Sequence, residues 1–201
     1  MSALPEAPAA TRNATAILKV LEHEFRAVTN VLEIGSGTGQ HAVAFAAAMP
    51  DLRWQTSDVP ENHPGILAWL THAKLGNALP PLTLDVLVDD IDTRYDAVFS
   101  ANTAHIMNIE AVAAMFELVG RVLEAGGVFC LYGPFRQHGR FSTASNEQFH
   151  RSLVAAGKGM GIRDLEHLEA IASDSALERR RLYAMPANNL IVVWHKLGEH
   201  R

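Results

Sequence analysis

Between residues 33 and 39 the chain reads Glu33-Ile34-Gly35-Ser36-Gly37-Thr38-Gly39, three glycines at every second position directly after a short apolar run. Glycine is required where backbone must turn sharply and approach a ligand with no Cβ in the way. A dinucleotide fingerprint wants its third glycine three residues after the second, and here that position is Gln40. The acid at Glu33 also suits a pyrophosphate poorly; it suits a cofactor that carries an ammonium and a sulfonium. Two further acids follow in register. Asp58, with Val59 beside it, closes the next apolar run, where a carboxylate can accept both hydroxyls of a ribose. Asp85-Val86 closes the third, where an adenine ring would lie. Together the loop and the three acids predict an adenosyl sulfonium, S-adenosyl-L-methionine, as cofactor. A nicotinamide oxidoreductase is the alternative that Gln40 disfavours.

Methyl transfer from a sulfonium is an in-line displacement, so orientation and exclusion of water can supply most of the acceleration. A base is needed only for a neutral hydroxyl or thiol acceptor. Asn102 and His105 follow the fourth apolar run and are the polar residues expected beside the reacting methyl, with Asn102 on the cofactor and His105 as a base that titrates near neutrality. Tyr132 could position an acceptor and Phe135 wall its pocket, while Arg136 would suit an acidic acceptor. Asn146 is either an acceptor contact or the cap of a helix. Arg12 could reach the methionyl carboxylate. The ten histidines show no zinc-binding spacing, and one cysteine cannot build a structural zinc site, so no metal is expected. His23 reads as exposed, His195 and His200 as chain-end residues, and Met107 and Met115 as helix core.

The elements that must position these residues alternate. Helices are predicted over about 14–28 with Asn13 as N-cap, then 40–49, 64–75 and 109–123, and strands at 31–34, 52–57, 82–84, 95–100 and 128–132. Pro80-Pro81 precedes the third strand, and Gly126-Gly127 stops the fourth helix. Alternation of this kind means right-handed crossovers and a parallel sheet. Further on, 133–161 is a long connection with its own helix at about 146–156, expected to cover the acceptor pocket. A helix at 163–172 and two strands, 178–184 and 190–196, joined by Met185-Pro186-Ala187-Asn188-Asn189, finish the sheet antiparallel. The prediction is a Rossmann-like α/β fold with seven strands, in one domain over 12–201 after a flexible tail at 1–11.

Composition narrows the partners. The chain has 201 residues, 48% of them apolar, and a net charge of −5. Its one like-charge block is Arg179-Arg180-Arg181, read as the exposed part of a strand, so a duplex nucleic-acid partner is disfavoured. No apolar run reaches membrane-spanning length, the first eight residues lack the basic and apolar regions of a secretory signal, and the single Cys130 suits a reducing compartment; the cytoplasm is expected.

The glycine motif resembles the first motif of class I methyltransferases. Longer stretches resemble a small methyltransferase-like family of bacteria and eukaryotes long described as a domain of unknown function. They are Arg12-Asn13, 31–42 through the loop, Trp54-Gln55-Thr56-Ser57-Asp58 and 80–86, then Tyr132-Gly133-Pro134-Phe135, Ser145-Asn146, 161–166 and 185–190. The resemblance implies an S-adenosylmethionine-dependent methyltransferase fold but no acceptor. The chain departs from the family at Asn102-Thr103-Ala104-His105-Ile106-Met107 and lacks an expected tryptophan in 88–93, changes that bear on the acceptor. A small-molecule acceptor is the leading expectation. The alternative is a non-catalytic cofactor-binding protein serving a protein partner.

Overall fold

Short apolar runs buried on both faces make the central strands of the computed structural model, which describes residues 4–198. The three terminal residues at each end, with His200 among them, lie outside the described residues. In chain order the elements are α1 (Pro8–Glu24), β1 (Asn30–Ile34), α2 (Gln40–Ala48), β2 (Arg53–Asp58), α3 (His63–Ala73), β3 (Ala78–Thr83), β4 (Tyr95–Ala101) and α4 (Ile109–Val122). They continue with β5 (Leu123–Gly133), β6 (Phe135–Arg136), α5 (Ala144–Ala156), β7 (Arg163–Asp164), α6 (Leu165–Asp174), β8 (Leu177–Met185) and β9 (Asn189–Lys196).

Seven strands form one sheet in the order β3-β2-β1-β4-β5-β9-β8, parallel from β3 to β5 and antiparallel through β9 and β8. This is the Rossmann-like sheet with a C-terminal hairpin that the sequence predicts. Period-two burial divides its side chains between two cores. Leu32, Val98, Phe129, Leu131 and Trp194 face α4 and α6, whereas Val31, Phe99, Cys130 and Val193 face α1 and α2. β1 pairs with β2 on one side and β4 on the other, so the chain reverses direction across the sheet at β1. Ligands of open α/β sheets lie in the crevice at such a reversal, at the carboxyl ends of the strands.

Several boundaries differ from the prediction. α1 starts at Pro8, whose missing N–H costs nothing in a first turn, so residues 8–11 are helix and not tail. Asn13 therefore sits inside α1, buried, and caps nothing. Pro80 and Pro81 lie within β3, which tolerates them because it is the sheet edge. α4 runs straight into β5, and the glycines at 126 and 127 sit in a bulge of that strand, between the pairs Tyr95–Leu123 and Ala97–Val128. Met107 lies outside any helix, although it packs on the core, while Met115 is buried in α4. The two-residue strands β6 and β7 pair in parallel and were not foreseen; they clamp the two ends of the long connection that carries α5.

Candidate functional site

The loop after β1 is built from left-handed backbone, with φ of 74° at Gly35, 59° at Gly37 and 88° at Gly39. A β-carbon on Gly35 would lie 2.6 Å from Thr103 Cγ2, and one on Gly39 would lie 2.9 Å from Ile66 Cα. Those two glycines serve close packing. Gly37 differs, because a β-carbon there would meet nothing within 4 Å and would project into open space. The N–H groups of Gly35 and Ser36 both donate to Ser57 O at 3.0 Å, tying the loop to the end of β2. Gly37 N–H donates to Asp58 Oδ2 at 2.6 Å, and Asp58 Oδ1 accepts from Val59 N–H and Asn62 Nδ2, each at 2.8 Å. Asp58 thus locks the loop from the side.

Glu33 lies beneath the loop and not in the wall of the cavity above it. Its Oε2 accepts from Ser36 Oγ at 2.8 Å and from Trp54 Nε1 at 3.1 Å. Burial raises its pKa to about 7 against the pull of those two donors, with the Asp58 charge adding to the rise. Among the described residues no cation pairs with it. Asp85 caps its own turn, accepting from Leu87 N–H at 3.0 Å, and both Asp85 and Val86 are half-buried outside the cavity wall.

The loop after β4 meets the glycine loop face to face. Ser100 Oγ donates to Ile34 O at 2.7 Å and lies 2.7 Å from Thr103 Oγ1, which ties the two strand ends together. Asn102 is left-handed, φ 62°, a strained conformation held by its N–H bond to Tyr132 O at 2.9 Å. His105 is buried with its ring edge-on to Phe149, centroids 5.4 Å apart. Burial, helped by the Arg163 charge, lowers its pKa to about 4. The expected titration near neutrality is therefore corrected: the imidazole is neutral at physiological pH. Its loop is fastened from behind, by Gly161 N–H to His105 O at 2.9 Å and Arg163 Nε to Ala104 O at 2.9 Å.

Between these loops lies a cavity of about 510 Å³. Gly35, Ser36, Gly37 and Thr38 line it together with Asn102 and His105. Asn146 also lines it, and Thr143 caps α5 instead, with its hydroxyl bonded to Asn146 N–H. Tyr132 lies under the wall, its hydroxyl beside the Asn13 and Asn189 amides, and burial raises its pKa. Phe135 packs in the core below. Arg136 turns away toward Asp164, 3.8 Å from Nε, and sits 5.5 Å over the Phe141 ring. Arg12 is exposed on α1 and is not part of the wall.

The wall also contains residues the sequence reading passed over. His41, stacked on Phe45 at 5.1 Å, has Nε2 2.7 Å from Asn13 Oδ1, and burial lowers its pKa to about 4. Ala7 and Ala10 close the side above the glycine loop, and Phe149 and Ala187 the far side. Only position could have flagged them, since His41 directly follows Gln40 and Ala187 stands in the hairpin turn. Among the described residues no cluster of three His, Cys, Asp or Glu side chains could hold a metal, and no helix is long and apolar enough to cross a membrane.

A family model described as "Protein of unknown function (DUF938)" matches residues 4–196. The fold is that of class I methyltransferases. An O-methyltransferase family protein from Burkholderia thailandensis superposes with a TM-score of 0.80 at 14% identity, over 96% of this chain and 58% of its own. An O-methyltransferase family 2 protein from Planctomyces limnophilus, solved with apigenin, gives 0.83 at 15% identity over 94% and 58%. Human N-acetylserotonin methyltransferase in complex with S-adenosylmethionine gives 0.80 at 13% identity over 94% and 53%. The chain thus spans little more than half the length of these structures.

Proposed function

The chain belongs to the DUF938 family of proteins of unknown function, and from that premise we propose that it binds S-adenosylmethionine and directs methyl transfer to a small-molecule acceptor. One observation carries the reading: at the sheet reversal, Gly37, whose β-carbon would meet nothing within 4 Å, and the left-handed Asn102 line the same cavity. Space that a β-carbon would enter, beside backbone held in a costly conformation, is what a bound ligand requires.

When bound, S-adenosylmethionine supplies an electrophilic methyl group. The chain's own residues do the rest. Backbone at Gly35, Ser36, Gly37, Thr38 and Gly39, at the start of α2, receives the methionyl end, where the helix dipole favours its carboxylate. Asp58 keeps one Oδ2 lone pair for a ribose hydroxyl, with Val59 alongside, and Asp85 and Val86, outside the cavity wall, would flank an adenine that extends past it. Asn102 fixes the sulfonium end against the acceptor. His105, neutral and accepting, would orient a hydroxyl acceptor through its hydrogen bond and, as a base weakened by burial, take its proton while the methyl–sulfur bond breaks and S-adenosylhomocysteine is left; Tyr132 supports that wall from below. α5 and the rest of 133–161 cover the acceptor side and keep water out.

Isothermal calorimetry with S-adenosylhomocysteine tests the first half, with single-site binding expected. Incubation of the protein and S-adenosylmethionine with fractionated metabolites tests the second. Release of S-adenosylhomocysteine should depend on one fraction and fall at least tenfold in His105→Ala. Failure of S-adenosylhomocysteine to bind at millimolar concentration would overturn the proposal.

A further inference from the structure

The acceptor end of the cavity carries more chemical information than its size. Among the described residues that line the cavity none is Asp, Glu, Lys or Arg. Of the nearby arginines, Arg136 is turned to Asp164 and Phe141, Arg163 donates to Ala104 O behind His105, and Arg12 stands exposed on α1. No side chain of the wall therefore offers an ionic acceptor group a countercharge, and whatever water that group loses on binding is not compensated by the protein.

Asn146 supplies direction. Its Nδ2 donates both hydrogens, to Ser142 Oγ at 2.9 Å and to Asn188 O at 3.3 Å. A backbone carbonyl can only accept, so the nitrogen must face Asn188 and the orientation of the amide is fixed. Oδ1 is then the free end and has no donor among the described residues. It is not sealed off, because the buried side-chain atoms that lack a partner are Arg136 Nε, Trp194 Nε1 and His195 Nε2. Asn146 is 8% exposed and lines the cavity, so its open acceptor faces that space. The β8–β9 turn holds it there: Ala187 and Asn188 are both left-handed, φ 57° and 59°, and this unusual pair aims Asn188 O at the amide. Beside it, Phe149 and Ile106 are large apolar side chains of the wall left 40% and 55% exposed.

We infer that the acceptor is an uncharged molecule that donates a hydrogen bond to Asn146 Oδ1 and lays a flat apolar face on Phe149 and Ile106. This rests on the methyltransferase reading and narrows it to a substrate class, with α5 and the strained β8–β9 turn as the specificity elements.

Four ring-matched probes test it on the full chain saturated with S-adenosylhomocysteine, by ligand-observed NMR titration. They are 4-ethylphenol, 4-hydroxyphenylacetate (an anion), tyramine (a cation) and 4-ethylanisole, which lacks the donor. The neutral phenol should bind at least fivefold more tightly than each of the others. Asn146→Ala should abolish its advantage over the anisole, and Phe149→Ala should weaken both together. A charged probe binding as tightly as the phenol, an anisole equal to it in the unaltered protein, or no binding by the phenol at all would overturn the inference. A calorimetric control comes first. If S-adenosylhomocysteine itself fails to bind, the proposed function falls, and the panel is read by the same criteria on the unliganded chain.

Discussion

Glu33 beneath the glycine loop and His41 and His105 in the cavity wall are three buried groups that resist ionisation, and their effects on stability oppose one another. Both histidines have pKa values near 4 in the folded chain against 6.5 as free groups. Above 6.5 they are neutral in both states; as pH falls, the unfolded chain takes up protons first, so their contribution is lost from 6.5 down through 4. Glu33 runs the other way, with a folded value near 7 against 4.5; its contribution is complete below 4.5 and is lost as pH rises through 7. Each shift corresponds to roughly 3 kcal/mol. Between 4.5 and 6.5, two losses on acidification exceed one gain, and the protein should destabilise by about 3 kcal/mol from these groups together. Glu33→Gln should steepen that acid loss and His105→Gln should flatten it, read from urea midpoints at pH 7, 6 and 5. Identical slopes in all three proteins would show that the burial of these side chains does not govern the titration.

At the scale of elements, the start of α1 and the segment before it lie across the glycine loop. Gln40 Oε1 accepts from Ala7 N–H at 2.5 Å and from Thr38 Oγ1 at 3.0 Å, while its Nε2 donates to Thr11 Oγ1 at 3.2 Å. Pro5 O takes the Trp69 indole N–H at 2.8 Å. Gln40→Ala removes the side chain that joins loop and helix, and a hydrogen bond of this kind contributes about 1 kcal/mol. Amide exchange at Ala7 should quicken severalfold, with strand amides in β1 and β4 unchanged. Unaltered protection at Ala7 would mean that Pro5 and Trp69 hold the segment by themselves. The arrangement also shows what the sequence displays and what it hides. Strands β1, β2 and β4 are legible because period-two and continuous apolar runs have few other solutions. The start of α1 was obscured because Ala9-Ala10 carry no amphipathic signal and Asn13 imitates a cap, and it became intelligible only with His41 opposite. Pro80 and Pro81 looked like a boundary because their tolerance depends on β3 lying at the edge, a property of strand order. The glycine loop could be read from spacing alone. Of the cavity wall beyond it the sequence singled out Asn146 but not Phe149 or Ala187, since these converge from α5 and the β8–β9 turn, elements far apart in sequence.

Across the whole molecule the sheet separates two cores and also couples them, and the two buried tryptophans report on each side. Trp194 stacks on Phe129 at 5.5 Å and meets Phe116 edge-on at 5.2 Å, yet its Nε1 is buried with no partner among the described residues. Trp54, in the opposite core, packs on Phe45 and Phe99 at 5.6 and 5.9 Å and donates its Nε1 to Glu33. Replacement by phenylalanine removes a similar volume from either core, so the cavity costs largely cancel in a comparison. The polar terms do not. Trp194→Phe relieves an unsatisfied donor, whereas Trp54→Phe takes one of two donors from a buried carboxylate, and a group left short costs about 1–3 kcal/mol. Trp54→Phe should therefore be the more destabilising by about 2 kcal/mol. Because the lost bond favours the ionised form of Glu33, that gap should widen from pH 6 to pH 8. Both variants should unfold in one urea transition with the slope of the unaltered protein, because β1, β4 and β5 contribute side chains to both cores and neither can melt while the strands stay paired. Equal costs for the two substitutions at pH 8 would refute the argument, since they would mean that the Trp54–Glu33 bond beneath the glycine loop contributes nothing to holding that face of the sheet.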